Sequence, residues 1–191
     1  MSNSTDSAQP LLAEWSEVLT TQTGLSLYVR PVSPGDADLV AAFFTALAPE
    51  DLRFRFLSPL TRPCNSLMET LVDVDHVRTE DFLAFADVDG RKTLIASAML
   101  AADPSLDRAE VAIAVDPAYQ KRGVGWTLLD FVARDAAARG IGVLESVECR
   151  DNRAAISLER EMGFIASPYP DDATLTLVRK TLNRPAPARS A

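Results

Sequence analysis

The residues of this chain best suited to chemistry stand in one run: Val115-Asp116-Pro117-Ala118-Tyr119-Gln120-Lys121-Arg122-Gly123-Val124-Gly125-Trp126. The two glycines fall where a strand-like pattern, Ala109 to Val115, gives way to a helical one, Gly125 to Arg139. Glycine lets the backbone turn and approach a ligand without a side chain in the way. The first amides of a helix converge on one spot, and the helix dipole adds positive potential, about 0.3–1 kcal/mol per exposed contact. Lys121 and Arg122 add charge. The pattern predicts a cradle for an anionic group. It is not a P-loop, because GxxxxGK[ST] is absent. Nor is it a dinucleotide fingerprint, because no third glycine follows and no strand–helix–strand unit precedes it.

Other chemistries are poorly supplied. His76 is the single histidine, and the two cysteines, Cys64 and Cys149, form no CxxC, so neither a metal site nor a disulfide framework is expected. No histidine is placed to activate Cys149, which reads as a small buried strand residue. A net charge of −8 opposes nucleic-acid binding and favours cationic partners. Met1 to Pro10 lacks the basic-then-apolar order of a signal peptide, and no apolar run approaches the ~20 residues that span a bilayer. A cytoplasmic protein without a membrane partner is expected.

The elements that must position the cradle follow from periodicity. Residues 1–24 read as a partly disordered leader, with Leu11, Leu12, Trp15, Val18 and Leu19 at helical spacing. Leu25 to Val29 reads as a strand. Ser33-Pro34-Gly35-Asp36 reads as a helix start, with Ser33 as N-cap and an acid three residues on. Leu39, Val40, Phe43, Phe44 and Leu47 follow on one face. Pro49-Glu50-Asp51 opens a second helix carrying Phe54, Phe56 and Leu57, and Ser66 to Val72 is a third. Phe82 to Asp87 and Thr93 to Leu100 are strands about an Asp89-Gly90 turn. After the Ala109–Val115 strand and its helix, which Gly140 stops, come a strand at Val143–Cys149, a helix at Asn152–Met162 and strands at Phe164–Ala166 and Ala173–Thr181. This order predicts an α/β layered domain over residues 25–182 and a disordered tail at 183–191.

The run Gln120, Gly123, Gly125 after Val115-Asp116-Pro117 resembles the coenzyme A pyrophosphate motif of the GNAT superfamily of N-acyltransferases. Asn152 and Ala154-Ala155 through Gly163-Phe164 resemble its second motif. The resemblance covers roughly residues 26–182. It implies the GNAT fold, a mixed and mostly antiparallel sheet of six or seven strands flanked by helices, with acetyl-CoA as cosubstrate and no metal. It also implies a β-bulge that splays the Val111–Val115 strand, and main-chain contacts to the cosubstrate from Ile113, Val115 and Val124. Gln120, Lys121, Arg122, Gly123, Gly125, Trp126, Asn152 and Ala155 complete the implied cofactor-binding set.

Acetyl transfer to an amine needs the neutral amine. A free lysine, with a pKa of about 10.4, lies about 4.6 kcal/mol from that form at pH 7, and a placed carboxylate can take the proton. Ala109-Glu110-Val111-Ala112 resembles the strand of bacterial Pat-type protein lysine acetyltransferases whose glutamate serves as general base, which implies that role for Glu110. Glu145 and Glu148 are weaker candidates. Many small-molecule members carry a tyrosine as general acid seven residues after the motif asparagine, where this chain has Glu159. Pro49-Glu50-Asp51-Leu52-Arg53-Phe54-Arg55-Phe56 and Asp73-Val74-Asp75-His76 also resemble the Pat branch. There, Asp73, Asp75 and Glu148 are candidate substrate contacts, with a solvated turn as the alternative for the two aspartates. Arg53 and Arg55 are candidate ion-pair donors. The resemblance implies a lysine on a protein, by analogy an acyl-CoA synthetase, as acceptor and a monomer or homodimer. A small-molecule amine acetyltransferase and a non-catalytic acyl-CoA sensor are the alternatives.

Overall fold

The computed structural model describes residues 15–59 and 64–183. Within them eight strands form one sheet: β1 (Glu17–Thr20), β2 (Ser26–Pro31), β3 (Thr79–Val88), β4 (Arg91–Ala102), β5 (Arg108–Val115), β6 (Val143–Cys149), β7 (Ile165–Tyr169) and β8 (Asp172–Thr181). Their order is β1-β2-β3-β4-β5-β6-β8-β7. The α-helices are α1 (Ala37–Ala46), α2 (Pro49–Phe56), α3 (Asn65–Val72), α4 (Val124–Ala138) and α5 (Arg153–Glu161), with single 3₁₀ turns at Pro34–Asp36 and Pro117–Tyr119. Every neighbouring pair is antiparallel except β5 with β6. A parallel pair needs a crossover, and α4 supplies it.

The sheet is covered on both faces. Leu27, Val29, Phe82, Val111 and Leu144 pack with Leu128, Phe131 and Val132 of α4. Leu83, Phe85 and Ala114 pack on the opposite side with Val40, Phe43 and Phe44 of α1, Leu52 of α2 and Leu71 of α3. β3 is buried from both sides, so its run Phe82 to Ala86 is apolar throughout rather than alternating. Phe82 meets Phe131 edge to face, with ring centroids 4.9 Å apart, and fastens α4 to the sheet.

Local signals act as read. The Asp36 carboxylate accepts the Ser33 N–H at 2.8 Å and two Arg30 N–H groups at 2.7 and 2.6 Å, closing the entry to α1. Gly140 stops α4 with φ +84°.

Three expectations need correction. The sheet has eight strands, not six or seven, because β1 lies inside the expected leader. Trp15, Val18 and Leu19 fit a helical spacing, but Val18 is exposed and Leu19 buried, the alternation of an edge strand. Leu11, Leu12 and the tail beyond Asn183 lie outside the described residues. Leu39 is exposed at 37%, outside the buried face of α1. Finally, β5 pairs regularly with β4 from Ala109 to Val115. Register shifts lie elsewhere, between β3 and β4, where Ile95 is the extra residue, and between β7 and β8 at Pro168/Tyr169.

Candidate active site

The splay is present, and pairing explains it. β5 and β6 share three residue pairs, Arg108–Val143, Ala109–Leu144 and Glu110–Glu145. Beyond Glu110, β5 stays with β4 while β6 stays with β8 to Cys149. Val111 to Val115 therefore keeps one edge free of any strand, and a cavity of about 450 Å³ opens there, within the range of small-molecule sites. The strand lines it from Val111 to Val115, the loop and α4 from Gln120 to Trp126 except Arg122, and α5 by Asn152, Ala154, Ala155, Leu158 and Glu159. Val147 and Glu148 of β6 and Glu50, Asp51, Phe54 and Arg55 of α2 complete it.

The cradle forms as the glycines require. Gly123 has φ +80° and is the N-cap of α4, with no side-chain cap on the helix start. Val124, Gly125 and Trp126 are the first three residues of that helix, whose amides have no partner within it. A Cβ on Gly123 would stand 3.2 Å from Thr21 Cβ. The turn after β1 buttresses this loop, since Thr23 Oγ1 donates to the Arg122 carbonyl at 2.8 Å. Gln120 lines the cavity, but its Nε2 donates to Asp51 Oδ1 at 3.0 Å and Val115 O at 3.3 Å, so it ties α2 to the end of β5. Arg122 lies over the Tyr119 ring at 5.1 Å and does not line the cavity. The uncapped amides, the open strand edge and the apolar walls of Ile113, Val124, Leu129 and Leu158 suit a diphosphate on a thin, partly apolar arm. Acetyl-CoA is such a molecule.

The carboxyls are distributed by face. Glu110 ends the three-pair ladder at the apex of the splay. Burial and the Glu145 charge raise its pKa above the ordinary value, while Arg55 acts against them. The Arg55 guanidinium lies 5.0 Å from the Phe56 ring centroid and faces both Asp81 and Glu110. On the other side of the cleft, burial and then the Glu159 charge push the Glu148 carboxyl up to about 8, against the hydrogen bond from Asn152. That bond, Nδ2 to Oε2, is 2.7 Å. Asn152 Oδ1 also accepts the Ala155 N–H, capping α5. Glu159 is 4% exposed. Its Oε1 accepts the Ser146 hydroxyl, and burial pushes the carboxyl up to about 7.

The aspartates of the turn before β3 stand elsewhere. Asp73 and Asp75 do not line the cavity. Asp75 Oδ1 accepts the N–H groups of Val77, Arg78 and Thr79 at 2.8–3.0 Å, and the carboxyl is held down at about 2, chiefly by the Thr79 N–H. It shapes its own turn, where His76 adopts φ +54° and its Nδ1 lies 3.0 Å from Glu80 Oε1. Cys149 is buried, and burial pushes its thiol up, as a structural residue should behave. Arg53 is an ion-pair donor, 2.7 Å from Asp151. Sequence reasoning assigned no site role to Arg55, Leu158 or Glu159. For Glu159 a signal existed: it shares a helical stripe with Ala155, Leu158 and Met162.

Comparison with known proteins agrees. The profile of the Acetyltransferase (GNAT) family matches residues 48–164. An acetyltransferase of Pseudomonas aeruginosa is 27% identical over 168 residues, 88% of this chain and 89% of the relative. Acetyltransferase Pat of Mycolicibacterium smegmatis is 29% identical over 150 residues, 75% of this chain and 43% of that longer protein. The crystal structure of the GNAT domain of S. lividans PAT superposes with a TM-score of 0.80 at 24% identity, covering 89% of this chain and 98% of that domain. The chain belongs to the GNAT acetyltransferase family. Within it, the relatives include Pat-type acetyltransferases, one by sequence and one by fold. Acetyl-CoA is the family's acetyl donor, and an amine is its acceptor.

Proposed function

We propose that this protein transfers acetyl from acetyl-CoA to the side-chain amine of lysine on a protein, with Glu110 as general base. One observation carries the reading: the uncapped start of α4 lines one end of the cleft, and Glu110, the last residue of the β5–β6 ladder, immediately precedes the lining residue Val111 at the other. Val124, Gly125 and Trp126 supply amides for the diphosphate. The free edge of β5 pairs with the amide-bearing arm, and an outward N–H of that edge stabilises the oxyanion that develops on the thioester carbonyl.

Glu110 is solvent-accessible and on the α2 side of the sheet, so an acceptor approaches past Glu50, Asp51 and Phe54. The acids draw a cationic amine inward. Glu110, its proton affinity raised by partial burial and by Glu145, takes the ammonium proton, the neutral amine attacks, and the nitrogen gives up its second proton to water as the amide forms and the coenzyme A sulfur leaves. An exposed base reached across an acidic helix suits a lysine presented on a surface. The sequence resemblance of Pro49–Phe56 and Ala109–Ala112 to the Pat branch supports the same acceptor class, with an acyl-CoA synthetase as the protein to try first.

The test incubates the purified chain and Glu110→Gln with acetyl-CoA and either an acyl-CoA synthetase or a panel of free amines, following thiol release and acetyl-lysine by mass spectrometry. Acetylation of the protein by the wild type alone is expected. Turnover only with a free amine would reassign the acceptor. Coenzyme A binding without turnover on any amine would make the chain a sensor.

A further inference from the structure

The catalytic cleft uses one side of α5, through Asn152, Ala155, Leu158 and Glu159. The opposite side of the helix is built differently. Arg153, Ser157 and Arg160 line a separate concavity of about 480 Å³ between α5 and the β7–β8 hairpin. Arg150, from the turn before α5, joins them, its backbone N–H fixed to the Thr174 carbonyl of β8 at 2.8 Å. We propose that this concavity is a second ligand site, and that it takes a small molecule bearing a phosphomonoester or a diphosphate.

The first support is charge without a counter-charge. Among the described residues no carboxylate oxygen lies within 4.0 Å of a side-chain nitrogen of Arg150, Arg153 or Arg160. The chain carries 27 acids against 19 lysines and arginines, yet three arginines and no acid line this wall. Asp151, beside Arg150, pairs instead with Arg53 at 2.7 Å. Glu161, beside Arg160, is not among the lining residues. Guanidiniums gathered on one surface repel one another, and a bound anion removes that cost.

The second support is the donor set. Ser157, Ser167 and Thr176 place hydroxyls on the same walls. Ser167 Oγ donates to the Leu177 carbonyl at 3.4 Å, while those of Ser157 and Thr176 meet no protein partner among the described residues. Planar guanidinium forks with interspersed hydroxyls match the oxygens of a phosphate group. The third support is size and field. The volume falls within the range of small-molecule sites. A net charge of −8 repels an extended polyanion over the rest of the surface, so the attraction is confined to a ligand that fits inside the cluster. That favours a compact phosphorylated molecule over a nucleic acid or an acidic protein segment. The acetyl-CoA cradle at Val124 to Trp126 lies on the cleft side of α5, so filling it leaves these donors unused.

The experiment titrates inorganic pyrophosphate, and separately phenyl phosphate, into the whole chain in the presence of excess coenzyme A, so that the cradle is filled. Salt is held at about 0.15 M, and the arginine Nε–H signals are followed by NMR. Saturable one-to-one binding of at least one probe is expected, with shifts at Arg150, Arg153 and Arg160. The double variant Arg153→Gln, Arg160→Gln should bind that probe at least about tenfold more weakly, since hydrogen bonds to charged groups are lost. Both arginines are exposed, so this variant should melt with the wild type and keep its coenzyme A affinity. Gly123→Ala, which disturbs the cradle, should leave probe binding intact. Saturation by neither probe overturns the proposal, as do wild-type shifts that bypass the three arginines or an unchanged affinity in the double variant. A double variant weakened toward coenzyme A but not toward dephospho-coenzyme A would assign these arginines to the acetyl donor's own phosphate and overturn a second site. Saturation by polyglutamate and by neither phosphate probe would overturn it in favour of an acidic peptide.

Discussion

Replacing Glu159 by glutamine should make the protein more stable at alkaline pH and hardly change it at pH 5. Below about 4.5, the pKa of an ordinary glutamate, folded and unfolded chains both hold the proton. Between that value and about 7, the unfolded chain releases its proton while the folded chain retains it. Stability falls wherever the folded state binds the more protons, so the wild type loses stability across this window, and the loss is complete above about 7. Moving proton affinity from 4.5 to about 7 corresponds to about 3 kcal/mol, at about 1.4 kcal/mol per tenfold change. For a domain of this size each kcal/mol moves Tm by roughly 3 °C. Glu159→Gln should therefore melt roughly 5–10 °C above wild type at pH 8.5 and within roughly 2 °C of it at pH 5, by calorimetry at matched ionic strength. A misfit glutamine would shift both temperatures equally. A pH-independent difference, or a wild type that gains stability from pH 5 to 8.5, would show that the Glu159 charge is compensated and refute the reasoning.

Gly123→Ala should lower stability by about 1–2 kcal/mol, because its backbone lies at positive φ and the new Cβ crowds Thr21. It should also weaken acetyl-CoA binding by at least about tenfold in titration calorimetry by shifting the cradle amides. Glu110→Gln should cut kcat by about 10²-fold or more and leave acetyl-CoA affinity unchanged. In the wild type, the acid limb of kcat/KM should lie above the ordinary carboxylate range, because burial and Glu145 raise that pKa. Phe131→Ala should cost about 3–5 kcal/mol in urea unfolding, as it removes the ring seated on Phe82 beneath α4. Arg53→Ala should change stability by under about 1 kcal/mol, since its pair with Asp151 is exposed.

What the sequence disclosed was what short spacing encodes. Gly123 and Gly125 at a helix entry, Ser33 with Asp36, Gly140 and the strand alternation of β5 each act through neighbours a few residues away, and each stands as read. What it hid depends on distant partners. Trp15, Val18 and Leu19 satisfy two periods, and only pairing with β2 decides for a strand. Asp73 and Asp75 looked like a cation lure, but three backbone amides within the same turn claim Asp75. Gln120 fits the phosphate motif, yet its amide spends its donors on Asp51, sixty-nine residues away in sequence. Glu159 lies beside Ser146 and Glu148 only once α5 has folded over β6, and its unusual proton affinity arises there.

The three-pair seam between β5 and β6 gives the donor molecule a structural task as well as a chemical one. Two half-sheets are laced by Arg108–Glu110 and Val143–Glu145, and beyond Glu110 the β6-side edge of β5 pairs with no strand. An amide-bearing arm laid there, as proposed above, would serve as a temporary ninth strand. Because any ligand favouring the native form adds RT ln(1 + [L]/Kd) to its stability, the persistence of the fold is coupled to the supply of coenzyme. Scarcity would leave the molecule both idle and easier to unravel.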